Sequence, residues 1–171
     1  SERQAAVGAA FEDLTERAGE VYEGQRQVAN DLQQALRETA PAGADPNGRR
    51  RGALPDDQAQ EFAERKYDLQ QDLEALEQDI QRVAQQYRDQ TPTASAELNQ
   101  ALADLQSVQT GARLGYGGDA IQRGAGAQVA ATDAVTTSAL RDLQRNTDEA
   151  LALANSEAVA GQSEEVDPNA E

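Results

Sequence analysis

Apolar residues recur in this sequence at alternating intervals of three and four, and this spacing restricts the fold more than any other feature. Residues 4–36 contain two such series, each with a period of seven, and residues 59–87 contain a cleaner pair. Between the apolar positions of the second segment stand almost only Gln, Glu, Asp and Arg. This pattern places a narrow apolar stripe on a polar helix, which is typical of helices packed on helices.

Proline and glycine mark the expected helix boundaries. The segment from Pro41 to Pro55 predicts a loop, and Asp56 and Asp57 suit the first turn of the next helix. Thr91-Pro92 predicts a cap followed by a first-turn proline. Because six glycines fall between Gly111 and Gly126, we expect a broken or frayed stretch there, with one short turn at 119–123.

These signals predict an all-α fold. We expect an antiparallel helical bundle or coiled coil of three to four long helices, with one domain over residues 1–160. The expected helices span about 4–39, 56–90, 92–114 and 127–160, and we expect the acidic residues 161–171 to form a disordered tail. The competing geometry is a thinner coiled coil that completes its core by dimerising.

Composition excludes much of the usual catalytic chemistry. The 171 residues include no Cys and no His, which removes disulfides, thiolate nucleophiles and the common zinc and haem ligands. A net charge of -16 repels nucleic acid and anionic lipid, so we expect a basic or cationic partner and no nucleic acid. No apolar segment is long enough to predict direct membrane insertion.

Three other motifs in the sequence are candidate sites. The arginines Arg49, Arg50 and Arg51 form the only basic cluster, and we expect a solvated loop with docking of an acidic partner as the alternative. Residues 45–56 resemble a calcium loop only faintly, because arginine occupies two of its key positions. The string GYGGDA at 115–120 matches a dinucleotide-binding fingerprint but follows no predicted strand. We therefore expect no metal and no cofactor.

Acidic pairs at helical spacing, such as Glu61 with Glu64 and Glu74 with Glu77, are interpreted as solvated helix surface rather than as catalytic carboxylates. Three polar residues interrupt the apolar stripes: Gln25, Lys66 and Asp133. Buried polar residues of this kind can fix helix register or oligomeric state at some cost in stability. We expect that role here in preference to catalysis by the lysine.

The region from Arg65 to Ala154 combines several features in order: heptads ending in Tyr87-Arg88, the Thr91-Pro92 break, a glycine-rich elbow with Ile121-Gln122-Arg123-Gly124, and a closing helix with Leu140-Arg141-Asp142-Leu143. In this order it resembles coiled-coil regions of uncharacterised bacterial envelope proteins. The resemblance covers about half of the chain. It implies a helical, extracytoplasmic, noncatalytic segment of a larger protein and carries over no functional residues.

The expected function is a noncatalytic structural or protein-interaction module that presents a rigid acidic helix surface to a protein partner or to its own copies. Because the chain begins with Ser1 rather than Met, we expect a processed protein or a segment of a larger one. The alternative is a bundle that binds a small ligand in a cavity near Leu114, Tyr116 and Ile121.

Overall fold

The computed structural model describes residues 2–39 and 54–164, with side chains up to residue 161. All regular structure within these ranges is helical, which confirms the predicted all-α class. The helices are α1 (Glu2–Thr39), α2 (Asp56–Gln86), α3 (Pro92–Ser107), α4 (Thr110–Gln122) and α5 (Gly126–Glu164).

The five helices occupy four corners of a bundle, because α3 and α4 follow one another along one corner. Both α1 and the α3–α4 pair pack against α2 and α5, so α2 and α5 lie at opposite corners. Low residue numbers in α1 meet high numbers in α5, as where Gly8 lies beside Asn155 and Gly19 beside Gln144. Helices α1 and α5 therefore run in opposite directions.

The core is built from the predicted apolar stripes. The buried apolar residues of α1 and α2 include Val7, Phe11, Leu14, Val21, Val28, Leu32, Leu69, Leu73, Leu76 and Ile80. In α5 the stripe includes two buried threonines, Thr136 and Thr147. The Thr147 hydroxyl donates to the carbonyls of Leu143 and Gln144 within its own helix, so its burial leaves no unpaired hydroxyl.

Several predicted boundaries differ from the structure. The second helix ends at Gln86 rather than near residue 90, and the chain turns before Thr91, whose hydroxyl donates to the Tyr87 carbonyl. Pro92 occupies the first turn of α3, as predicted. The Glu157 carboxylate of α5 holds this helix end by accepting hydrogen bonds from the amides of Thr93 at 3.0 Å and Ala94 at 2.7 Å.

The predicted helix 92–114 is interrupted earlier than expected. It breaks at Val108 and Gln109, where Gln109 adopts a left-handed conformation with φ 55°. Beyond this residue α4 begins at Thr110, and its axis continues along the same corner of the bundle.

The prediction of a broken or frayed glycine-rich stretch is wrong for residues 110–122, whereas the chain does break after Gln122, where Gly124 adopts a φ of 86°. Helix α4 runs through Gly111, Gly115, Gly117 and Gly118. A Cβ at Gly118 would lie 2.6 Å from the ring of Tyr67, so this glycine lets α4 approach α2 closely. The Tyr67 hydroxyl also donates to the Asp119 carboxylate. Packing against α2 thus offsets the poor helix propensity of glycine, and GYGGDA forms a helix rather than a phosphate-binding turn.

Some predictions fall outside the described residues. The fifth helix extends to Glu164, so residues 161–164 of the predicted tail are helical, and the rest of that tail lies beyond the described part. The arginine cluster Arg49, Arg50 and Arg51 and most of the calcium-like loop also lie outside it. None of the described helices has an apolar stretch long enough to cross a membrane.

Candidate functional site

A polar layer crosses the centre of the bundle and consists of Gln25, Lys66 and Asp133. The Lys66 ammonium donates to Asp133 Oδ1 at 2.6 Å and to Gln25 Oε1 at 2.9 Å. The Gln25 amide donates in turn to the same Asp133 oxygen at 3.1 Å. Lys66 is 1% exposed and Asp133 is 7% exposed. The three polar interruptions that the sequence showed on separate helices therefore form a single hydrogen-bonded cluster.

Gly117 of α4 lies beside the Lys66 side chain. Lys66 on α2 reaches Asp133 on α5 across the diagonal of the bundle. Gly117 supplies the fourth corner of this layer, and a Cβ there would lie 3.9 Å from both Cδ and Cε of Lys66. An added Cβ would therefore make ordinary van der Waals contact with the lysine stem. Sequence analysis named the three polar residues but missed this glycine, because its role depends on α4 being helical.

The layer is electrostatically costly to bury. Desolvation lowers the pKa of the Lys66 ammonium, and the Asp133 carboxylate opposes that shift through its charge and hydrogen bond. Asp133 Oδ2 is buried without a hydrogen-bond partner within the described part of the chain. A buried pair with one unsatisfied oxygen gives weak net stabilisation, although removal of either partner alone is strongly unfavourable.

Two open grooves meet at Asp133. One, here called the elbow groove, has a volume of about 310 Å³ between α4 and α5 and is lined partly by Tyr116, Gly117 and Val129. The other has a volume of about 200 Å³ between α1 and α5. Of the residues predicted to line a ligand cavity, Tyr116 is 68% exposed in the elbow groove, whereas Leu114 and Ile121 are buried in the core.

A larger groove lies on the surface between α3 and α5, with a volume of about 700 Å³. Its apolar lining residues are Ala101, Leu105, Val108, Ala134, Val135, Ala139 and Leu143. Val135 is 44% exposed, one of the few large apolar side chains of the described chain that face solvent. The groove adjoins the end of α3, and sequence analysis did not predict it because the break at Gln109 was not predicted.

Charge is unevenly distributed around the bundle. Helices α1 and α2 carry twice as many charged residues as α3, α4 and α5 together, over nearly the same number of residues. On α2 five exposed carboxylates share one helix face, and we call them the acidic ridge: Asp57, Glu61, Glu64, Asp68 and Asp72. Arginines bridge α1 and α2 beside it, through Arg17 with Asp79 at 2.5 Å and Arg65 with Asp31 at 2.9 Å.

The two acidic pairs noted in the sequence both lie on α2. Glu61 and Glu64 are exposed on the ridge. Burial, and then the neighbouring Glu74, raise the pKa of Glu77. No group of three or more acidic side chains in residues 2–39 and 54–161 is placed to hold a metal ion. Comparisons with protein-family models, curated proteins and solved structures gave no match to this chain.

Proposed function

We propose that this chain is a noncatalytic helical interaction module, and that the acidic ridge is the surface it presents to a basic protein partner. The observation that carries the proposal is the ridge itself: five exposed carboxylates on one face of α2, along a helix that the core holds rigid. The charged groups of the interior are instead bonded to one another in the polar layer, away from solvent.

The geometry favours charge recognition along α2. Residues 57 to 72 span roughly 22 Å at 1.5 Å per residue, which is enough to meet several turns of a partner helix or an extended basic segment. The arginines next to the ridge bond to other carboxylates, such as Arg65 to Asp31, so they do not neutralise it. Complementary charge of this kind raises the association rate and orients the partner.

The test uses a fluorescent arginine-rich peptide as the probe and measures its affinity by anisotropy. The triple variant Glu64→Gln, Asp68→Asn and Asp72→Asn removes the three carboxylates at the C-terminal end of the ridge. Three exposed ion pairs at about 0.3–0.5 kcal/mol each predict a roughly five- to tenfold weaker Kd. Binding by the native protein should also weaken as salt screens the charges.

A matched control separates the ridge from net charge. The variant Glu2→Gln, Asp89→Asn and Glu149→Gln removes the same number of carboxylates from exposed positions elsewhere on the molecule. It should change the affinity by less than about twofold. Equal losses in the two triple variants would show that only net charge matters and would contradict recognition by the ridge.

A second candidate, binding of a small ligand, is favoured by one observation. The elbow groove reaches Asp133, whose Oδ2 has no donor among the residues that the structure describes. A small primary amine would supply that donor, so butylamine is the probe. Ligand binding predicts a saturable rise in melting temperature that Tyr116→Ala diminishes. An unchanged melting temperature at saturating concentrations would reject this candidate.

A further inference from the structure

We propose that the groove between α3 and α5 is the contact surface for a second copy of this chain, with α5 of each copy packed against the groove of the other. The surface consists of the groove residues and the adjoining exposed positions of α5. It lies apart from the acidic ridge, so either proposal can fail without the other.

Charge identifies the occupant. Two copies with a net charge of -16 each repel one another, and the repulsion is least where their least charged sides meet. That side is formed by α3, α4 and α5, which carry half as many charged residues as α1 and α2. A basic partner would gain more from the acidic ridge than from this surface, so the sparse charge here suits a second copy better than a basic protein.

The groove also contains both signs of charge, as a surface that meets itself requires. Asp104 lies on its α3 side, and Asp142 and Arg145 lie on its α5 side. In a two-fold dimer the same patch is used twice, so each Arg145 has acidic groups of the other copy to approach. Within the described part of the chain Arg145 bonds to Asp142 at 3.1 Å, and 63% of its side chain is exposed, which leaves most of its donors accessible.

Shape supports the same occupant. The floor of the groove is apolar, with Leu105 and Leu143 buried beneath it. On its α5 wall Val135 projects beside Ala134 and Ser138, whose small side chains allow another helix to approach closely. Val135 of one copy can therefore enter the groove of the other while its own groove accepts the symmetric residue.

The experiment is sedimentation equilibrium of the full chain at about 10 µM and about 500 µM protein. Dimerisation predicts a concentration-dependent rise from the chain mass of 18.3 kDa towards twice that value. Added sodium chloride should strengthen the dimer, because it screens the repulsion between two acidic copies. Salt should have the opposite effect on peptide binding by the acidic ridge, so the two surfaces are distinguishable in one titration.

Two alanine-to-arginine variants provide the matched comparison. Ala134→Arg places a long charged side chain on the groove wall, whereas Ala75→Arg makes the identical change at an exposed position of α2. The first should weaken dimerisation by at least about tenfold and the second by less than about twofold. Circular dichroism of both variants shows that the helices remain folded.

Three results would overturn the proposal. The native chain could stay monomeric at the higher concentration over the whole salt range. Dimerisation could respond equally to the two arginine variants, which would place the interface elsewhere. A monomer that binds the apolar dye ANS stoichiometrically, with binding lost in Ala134→Arg, would assign the groove to a small apolar ligand.

Discussion

Removal of the carboxylate from the polar layer should destabilise the bundle more than any surface substitution. In Asp133→Ala the Lys66 ammonium keeps its bond to Gln25 at 2.9 Å but loses its ion-pair partner, while it stays 1% exposed. Orphaning one member of a buried ion pair costs about 3–5 kcal/mol. Alanine returns up to about 0.7 kcal/mol through helix propensity. The expected net loss is therefore roughly 3 kcal/mol, or about 6–12 °C in Tm for a chain of this size.

The complementary variants test the cause of that loss. Lys66→Met replaces the lysine with an uncharged side chain of similar length and leaves the carboxylate orphaned. The double variant Lys66→Met with Asp133→Ala removes both charges, so it should be more stable than Asp133→Ala alone. The coupling energy between the two sites should be at least about 2 kcal/mol, because each single change includes the cost of stranding the other charge.

The assay is urea unfolding followed by circular dichroism, with the free energies compared at constant m-value. Asp142→Ala is the control, because it makes the same substitution on the same helix at an exposed carboxylate paired only with Arg145. It should change the free energy of unfolding by less than about 0.5 kcal/mol. Equal effects of Asp133→Ala and Asp142→Ala, or strict additivity in the double variant, would refute the electrostatic reasoning.

Three further predictions concern local contacts. Glu157→Gln should cost about 1 kcal/mol at neutral pH, measured by urea unfolding, because the charged carboxylate that accepts from two amides of α3 is lost. The Arg17 guanidinium holds the pKa of Asp79 below its usual value. This pair therefore stabilises the bundle above about pH 4, and the contribution is lost as pH falls through the lowered pKa. Asp79→Asn should reduce the Tm at neutral pH and make the Tm fall less steeply as the solution is acidified. Gly118→Ala should destabilise through contact with the Tyr67 ring, whereas Gly111→Ala meets nothing within 4 Å and should raise Tm slightly; calorimetry of both variants checks the pair.

The sequence predicted the helical class and the buried stripes because apolar spacing is a local property of the chain. It did not predict α4 beyond residue 114, because Gly115 and Gly118 lie where α4 closely approaches the Gln70 and Tyr67 side chains, and both of these belong to another helix. The three residues of the polar layer were predicted from the sequence, but their contact with one another was not. Gln25, Lys66 and Asp133 stand out as polar residues in apolar stripes, but only the relative register of three helices brings them together.

That dependence on register gives the polar layer a physical role that stability does not explain. The stripes repeat every seven residues, so a slip of α5 by one repeat moves it about 10 Å and again brings an apolar stripe to the core. The slip would place Leu140 or Gly126 where Asp133 now meets Lys66. The Lys66 ammonium and the Asp133 carboxylate would then each be buried without the other, and each would cost about 3–5 kcal/mol of stability. Exchange of one aliphatic core residue for another costs less. The layer therefore penalises the misaligned bundles that a repetitive alanine-rich core would otherwise tolerate, even though it contributes little net stability to the aligned one.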